Sequence, residues 1–262
     1  MKDYAALMID LKNSKLYSIE ARNQIQQQIL KTMQKLNKLF TNSLSKEVEF
    51  SAGDEIQGLF SSPSAAYLYF RFFQLLTHPL ELHSGIGMGA WNVRLEFSSS
   101  TAQDGPAYHY ARTAIEEAKK NLEYSTLFYS KRKEDRVINA LINAYEILQS
   151  KQSKYQAELT LFTEFLYPIS ANNILSKEKV KEFLENSEQE NWKIELINPE
   201  EGEEDFYIKT GKKRGLATQL SELLETSRQS TEKSIKSANI YEMRNLSLAI
   251  LQILRDLEGG KL

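Results

Sequence analysis

Val48-Glu49-Phe50-Ser51-Ala52-Gly53-Asp54-Glu55-Ile56-Gln57-Gly58-Leu59-Phe60 reads as two strand-like runs joined by a Gly-Asp turn. Apolar residues flank the turn on both sides, which predicts a β-hairpin. The hairpin fixes the reading of its neighbours. Before it, Tyr4 to Ile9 is a short apolar run of the kind that forms a buried strand. Between the two, Ile25, Ile29, Met33, Leu36, Leu39 and Phe40 recur at helical spacing among long polar residues, so 18–40 is an amphipathic helix. After the hairpin, Pro63-Ser64 opens a second helix rich in Tyr and Phe. Leu82 to Met88 is a further strand, and its glycines at 85 and 87 imply close approach of a ligand or another backbone. Gly105-Pro106 starts a third helix over 107–121, and Leu127 to Tyr129 is a last strand. The order predicts an α+β domain with an antiparallel-centred sheet and helices on one face.

The chain has 262 residues, 41% hydrophobic and 26% charged, enough for two domains of ordinary size. A net charge of −2 leaves the case for nucleic acid to local patches. No cysteine occurs, which excludes disulfides, thiolate zinc sites and thiol catalysis. The three histidines, His78, His83 and His109, are too scattered for a histidine-rich metal site. His83 reads as a sheet-face residue and His109 as a surface helix residue. Met1-Lys2-Asp3-Tyr4 runs straight into a strand without an apolar signal core, and no apolar run approaches a membrane span. A cytoplasmic protein without a membrane partner is therefore expected.

Lys131-Arg132-Lys133 marks a boundary between a domain at 1–130 and a mostly helical one at 131–262. Residues 136–167 read as one helical run stopped by Pro168, and 176–184 as a short helix. Strand-like runs at 192–197 and 206–208 flank an acidic turn, and 170–211 reads as an acidic, exposed insertion. The helix at 216–224, the break Glu225-Thr226-Ser227 and the helix at 228–238 have the shape of a helix-turn-helix near 214–240. Its second helix presents Arg228, Gln229, Lys233 and Lys236 as DNA-binding candidates, and Lys212-Lys213-Arg214 adds positive charge upstream.

The chemistry-bearing residues gather in the first half. Asp10 ends the first strand and Asp54 sits in the hairpin turn. Two carboxylates at strand ends are the pattern that holds Mg²⁺ against nucleotide phosphates. Lys12 and Arg112 are placed to reach phosphate oxygens, and Gly53, Gly85 and Gly87 complete the candidate nucleotide site. Glu55, next to Asp54, reads as a salt-bridge partner rather than a third ligand. The aromatic run Tyr67 to Phe73 reads as core and dimer contact rather than a stacking platform.

Four blocks in order resemble the SatD family of bacterial proteins. They are Ile9-Asp10-Leu11-Lys12-Asn13-Ser14, Gly53-Asp54-Glu55-Ile56-Gln57-Gly58-Leu59, Ser84-Gly85-Ile86-Gly87-Met88-Gly89, and Asp104-Gly105-Pro106-Ala107-Tyr108 with Ala111-Arg112. The resemblance covers about 4–150 and resumes at about 214–250. More distantly, the first half is similar to class III nucleotide cyclases. In those enzymes one aspartate ends the first strand and a second sits in a Gly-Asp hairpin; together they bind two metal ions, and the subunits pair head to tail. The resemblance implies Asp10 and Asp54 as the metal pair, Arg112 as a catalytic arginine acting across a homodimer, and Mg²⁺ and a nucleotide as ligands. The cyclase asparagine has no match, since Tyr108 or His109 stands there, and Phe50 occupies the position that selects the base. The departures favour a DNA-binding regulator with a nucleotide-sensing domain over an active nucleotidyl cyclase or nucleotidyltransferase. A protein-interaction module using neither site is the third reading.

Overall fold

The computed structural model describes residues 2–170, 174–184, 194–197 and 213–260. Its first strand, β1 (Tyr4–Leu11), is buried without a break from Ala5 to Ile9, so both of its faces are covered. The helix α1 (Ile19–Leu39) starts at Ser18, whose side chain accepts from the Ala21 amide at 3.2 Å, a capping bond that satisfies a free donor of the first turn. It buries Ile29, Met33, Leu36 and Leu39 along one stripe. The expected hairpin is β2 (Leu44–Ala52) and β3 (Glu55–Phe60), closed at Gly53-Asp54. Gly53 takes φ 63°, the left-handed conformation such a turn demands. Next come α2 (Pro63–Thr77), capped by Ser62, and β4 (Leu82–Gly89). The helix α3 (Pro106–Lys120) and β5 (Thr126–Tyr129) follow.

The sheet order is β2-β3-β1-β4-β5, antiparallel except for the β4–β5 pair. The first four strands with α1 and α2 form a βαββαβ unit in ferredoxin-like order. The α+β class is as expected. The single helical layer of the sequence reading holds α1 and α2, whereas α3 forms a second layer on the opposite face.

Register explains the division. Successive side chains on a strand alternate between faces. Ala5 lies opposite Phe60 and Met88, and Leu7 opposite Ile86, so these side chains share one face. There Tyr69 of α2 packs edge-on against Phe60 and against Phe40, just past α1. Tyr67 to Phe73 are all buried, so the aromatic run is core. The other face carries Ala6, Met8 and Leu59, which pack with Ala107, Tyr108, Ala111 and Ile115 of α3. Opposite Ala6 and Met8 lie Gly87 and Gly85. A Cβ at Gly85 would strike the Ala111 carbonyl and the Ile115 amide, and one at Gly87 would strike the backbone of Ala107 and Ala111. An alanine stripe on α3 therefore seats its backbone directly on a glycine strip of β4.

By compactness the chain divides into two units, residues 1–143 with 253–262, and residues 144–252. The expected boundary at 130 falls inside the first. Helix α4 (Asp135–Gln149) and helix α5 (Lys154–Leu166) replace the single helix expected over 136–167. Ser153 and Gln156 form a reciprocal capping box that starts α5 afresh, a local signal stronger than the continuing apolar period. Helices α6 (Lys177–Leu184), α7 (Leu216–Leu223), α8 (Arg228–Ser237) and α9 (Ile240–Glu258) complete the described residues. In the second unit Arg244 is ion-paired to Glu164 and donates to the Tyr167 carbonyl at 2.8 Å. Both charged side chains of that pair are fully buried. Of the strand expected at 192–197, the described residues 194–197 hold one isolated bridge, between Ile169 and Ile197; 206–208 lies outside the described residues, as does most of the proposed insertion. Among the described residues, no helix is long and apolar enough to cross a membrane.

Candidate functional site

Asp10 stands near the end of β1, on the α3 face of the sheet, opposite His83 of β4. One step beyond the Ile9–Ile56 pair, the register of β1 on β3 sets Asp10 opposite Glu55. Both carboxylates thus point toward α3. That helix answers each with a cation. Arg112 Nη1 donates to Glu55 Oε2 at 2.6 Å and Nη2 to Oε1 at 2.7 Å, a bidentate fork. Lys119, two helical turns further on, places Nζ 2.7 Å from Asp10 Oδ2. Residues seven apart share a helix face, so one face of α3 supplies both.

The four charges act as a set. Burial raises the Glu55 carboxyl, but the bond and charge of Arg112, a Ser51 hydroxyl bond at 3.0 Å and the charge of Lys119 outweigh it and hold the group below its usual range. Arg112 is held above its ordinary value, chiefly by the hydrogen bond to Glu55, with Asp10 contributing. His83 is lowered, first by burial and then by the charge of Lys12, with Asp10 opposing. It is therefore neutral near pH 7, and its Nδ1 is buried without a hydrogen-bond partner.

The other predicted residues are dispersed in role. Lys12 donates from Nζ to Ser125 Oγ at 2.6 Å, tying the end of β1 to the entrance of β5. Gly53 is open and serves the turn. Gly85 and Gly87 lie under α3, so the close approach they permit is that of a helix backbone, not of a ligand. Asp54 keeps one carboxylate oxygen, Oδ2, buried without a partner. His109 pairs with Asp104 at 2.7 Å on the surface, as its surface reading implies. Tyr108 is buried beside the Ser100 hydroxyl, and burial pushes its phenol up to about 12. Lys119 was not singled out from sequence. Its spacing from Arg112 is the signal that identifies it.

A magnesium site needs oxygen ligands free to coordinate, commonly one or two carboxylates with water and phosphate. Here Asp10 is matched by Lys119 and Glu55 by Arg112. Among the described residues, no three Asp, Glu or His side chains come together to hold a metal ion. Asp54, next to Glu55 in the chain, has its Oδ2 buried and unmatched. Of the metal pair expected from sequence, Asp10 is matched by Lys119, and Arg112, expected to act across a dimer, is held by Glu55 of its own chain. A metal ion at Asp10 would have to displace Lys119.

The residues expected to form a basic face on the second helix lie in the second unit. Helices α7 and α8 join through a turn in which Glu225 takes φ 50°. Ser227 caps α8 by accepting from the Ser230 amide at 3.2 Å, and the Thr226 and Thr231 hydroxyls meet at 2.8 Å. Only Thr231 and Ile235 of α8 are buried, leaving Arg228, Gln229, Lys233 and Lys236 exposed. Lys236 pairs with Glu232 at 3.2 Å, so part of the positive charge is offset. Of the upstream basic run, Lys213 is bound to Glu195 at 2.6 Å, and Lys212 lies outside the described residues.

The SatD family matches residues 4–196, more than half of the chain. The chain belongs to the SatD family. The match in this SatD-family protein runs through the sheet, α4 and α5 and ends before α7 and α8, so it does not resume at 214–250 as the blocks suggested. No curated protein matches the sequence. Among solved structures, a bacterial light-regulated adenylyl cyclase is similar at 15% identity and TM-score 0.36, over 48% of this chain and 75% of that one. The adenylyl cyclase CyaB from P. aeruginosa is similar at 18% identity and TM-score 0.34, over 45% of this chain and 72% of that one. Likeness at these scores carries no weight on activity; the ferredoxin-like order stands on the strand pairing itself.

Proposed function

We propose that this SatD-family protein is a regulator that senses a nucleotide or related phosphorylated ligand at the Asp10 end of its sheet and binds DNA through α8. The observation that carries the choice of sensor over enzyme is the bidentate Arg112–Glu55 pair. Phosphoryl and nucleotidyl transfer depends on cations aimed at the charge that develops on phosphate oxygens. An arginine whose fork is filled by a carboxylate of its own chain is spent on holding α3 to the sheet. A phosphate entering here exchanges with Glu55 for Arg112 or with Asp10 for Lys119, and so loosens the contact of α3 with the strands. In a homodimer, such a change alters the spacing of two α8 helices and hence their fit to two half-sites on DNA.

The test has two arms. Purified protein is given each of the four NTPs with Mg²⁺ or Mn²⁺, and pyrophosphate is measured beside Asp54→Asn. No release above that variant is expected, while nucleotide raises the melting temperature. DNA affinity is then compared between wild type and Arg228→Ala with Lys233→Ala. The double variant is expected to bind more weakly on all sequences with a smaller salt slope, as loss of phosphate contacts dictates. Unchanged affinity would sink the DNA half.

A nucleotidyltransferase is the second reading, favoured by the unmatched buried Oδ2 of Asp54. Pyrophosphate release that disappears in Asp54→Asn would establish it and overturn the sensor.

A further inference from the structure

Lys119 Nζ lies 2.7 Å from Asp10 Oδ2, with the lysine 36% and the aspartate 21% exposed. Arg112, which pairs with Glu55 of β3, projects from the same face of α3. The fields cross, since Lys119 acts on Glu55 and Asp10 acts on Arg112. Two positive and two negative charges therefore share one patch of sheet. A divalent ion arriving there brings two further positive charges to carboxylates that are already matched, beside an ammonium and a guanidinium that repel it.

We propose that the Lys119 ammonium is the resident cation of Asp10 and stands in place of a divalent metal at this end of the sheet. A ligand entering the site meets an ammonium and a guanidinium rather than a metal ion. It is thus recognised as a free oxyanion, not as its metal chelate. The pair is half-solvated, so it is an exchangeable contact and not a locked one. The proposal deepens the reading of the Asp10 end as the ligand site, and its test contains no nucleotide, so the two can fail separately.

The probe is Mn²⁺ alone, titrated into the full chain and followed by calorimetry and by the electron paramagnetic resonance signal of free Mn²⁺. Lys119→Met keeps most of the aliphatic stem and removes the charge. It is expected to bind Mn²⁺ at least about tenfold more tightly than wild type, because one repelling charge is gone and Asp10 is released. Lys119→Arg keeps the charge and is expected to match wild type. Adding Asp10→Asn to Lys119→Met is expected to remove the gained site. Circular dichroism checks the fold, and Lys119→Gln takes the place of Lys119→Met if the apolar tip perturbs α3. Equal Mn²⁺ affinity of wild type and the folded neutral variant overturns the proposal. So does a tight wild-type site that Asp10→Asn abolishes.

Discussion

Arg244 and Glu164 in the second unit are both fully buried, whereas Arg112 and Glu55 in the first are 40% and 15% exposed. The two pairs use the same chemical groups and do different work. The buried pair sits where neither member has water to fall back on, and the guanidinium also serves the Tyr167 carbonyl that ends α5. Separating two such buried charges is costly. The sheet pairs keep part of each side chain in water, so they can open toward a ligand at modest cost. Burial, not charge, separates an internal fastening from an exchangeable contact.

The strongest way to break that contrast is Arg244→Ala. Glu164 then loses the buried arginine it is paired with, and a loss of about 3–5 kcal/mol is expected in denaturant unfolding. Arg244→Met with Glu164→Leu removes both charges and should recover most of it. A loss in the single variant no larger than that of a sheet pair would erase the distinction. Gly87→Ala comes next. Its Cβ meets the backbone of α3, which cannot yield as a flexible side chain can. Overpacking of about 1–3 kcal/mol is expected, along with loosening of both α3 ion pairs.

Glu55→Gln sharpens the comparison through pH. The folded carboxyl lies below its ordinary value. The unfolded chain therefore binds the proton first, and the contribution is complete above the ordinary glutamate range and lost as pH falls through the lowered folded value. Glu55→Gln should cost about 1 kcal/mol at neutral pH, discounted for the exposure of Arg112, and should flatten the acid limb of stability. His83 has the same sign. Its imidazole is held neutral by burial, so falling pH charges it more readily in the unfolded chain, and His83→Gln should flatten the limb nearer the ordinary imidazole range. The smallest effect is expected of Glu232→Gln, which removes an exposed partner of Lys236. It should change stability by about 0.3 kcal/mol. If α8 lies on DNA, it should also tighten that binding by removing a carboxylate near the phosphates.

Much of the fold was legible because its signals are local. The Gly53-Asp54 turn, the helix start at Pro63-Ser64, the break at Glu225-Thr226-Ser227 and the apolar stripe of α1 each depend on a few adjacent residues. The single helix expected over 136–167 failed for the same reason, since one capping box at Ser153 outweighed a continuing apolar period. The 19-residue α9 went unread altogether. The site was legible by position and not by partnership. Asp10, Asp54 and Arg112 were singled out and Glu55 was read as an ion-pair member, but Lys119, seven residues after Arg112 on the same helix face, was not. The glycines at 85 and 87 announced a close approach without saying what approaches.

The sequence by itself determined the order of strands and helices through β5, the hairpin and the set of charged residues near the strand ends, because periodicity and turn chemistry act over a few residues. Only the tertiary structure decided which charges answer one another. An alanine face of α3 pressed onto the glycine strip of β4 carries Lys119 to Asp10 and Arg112 to Glu55. Coulomb attraction is governed by distance in space, and that distance is set by packing between segments far apart in the chain.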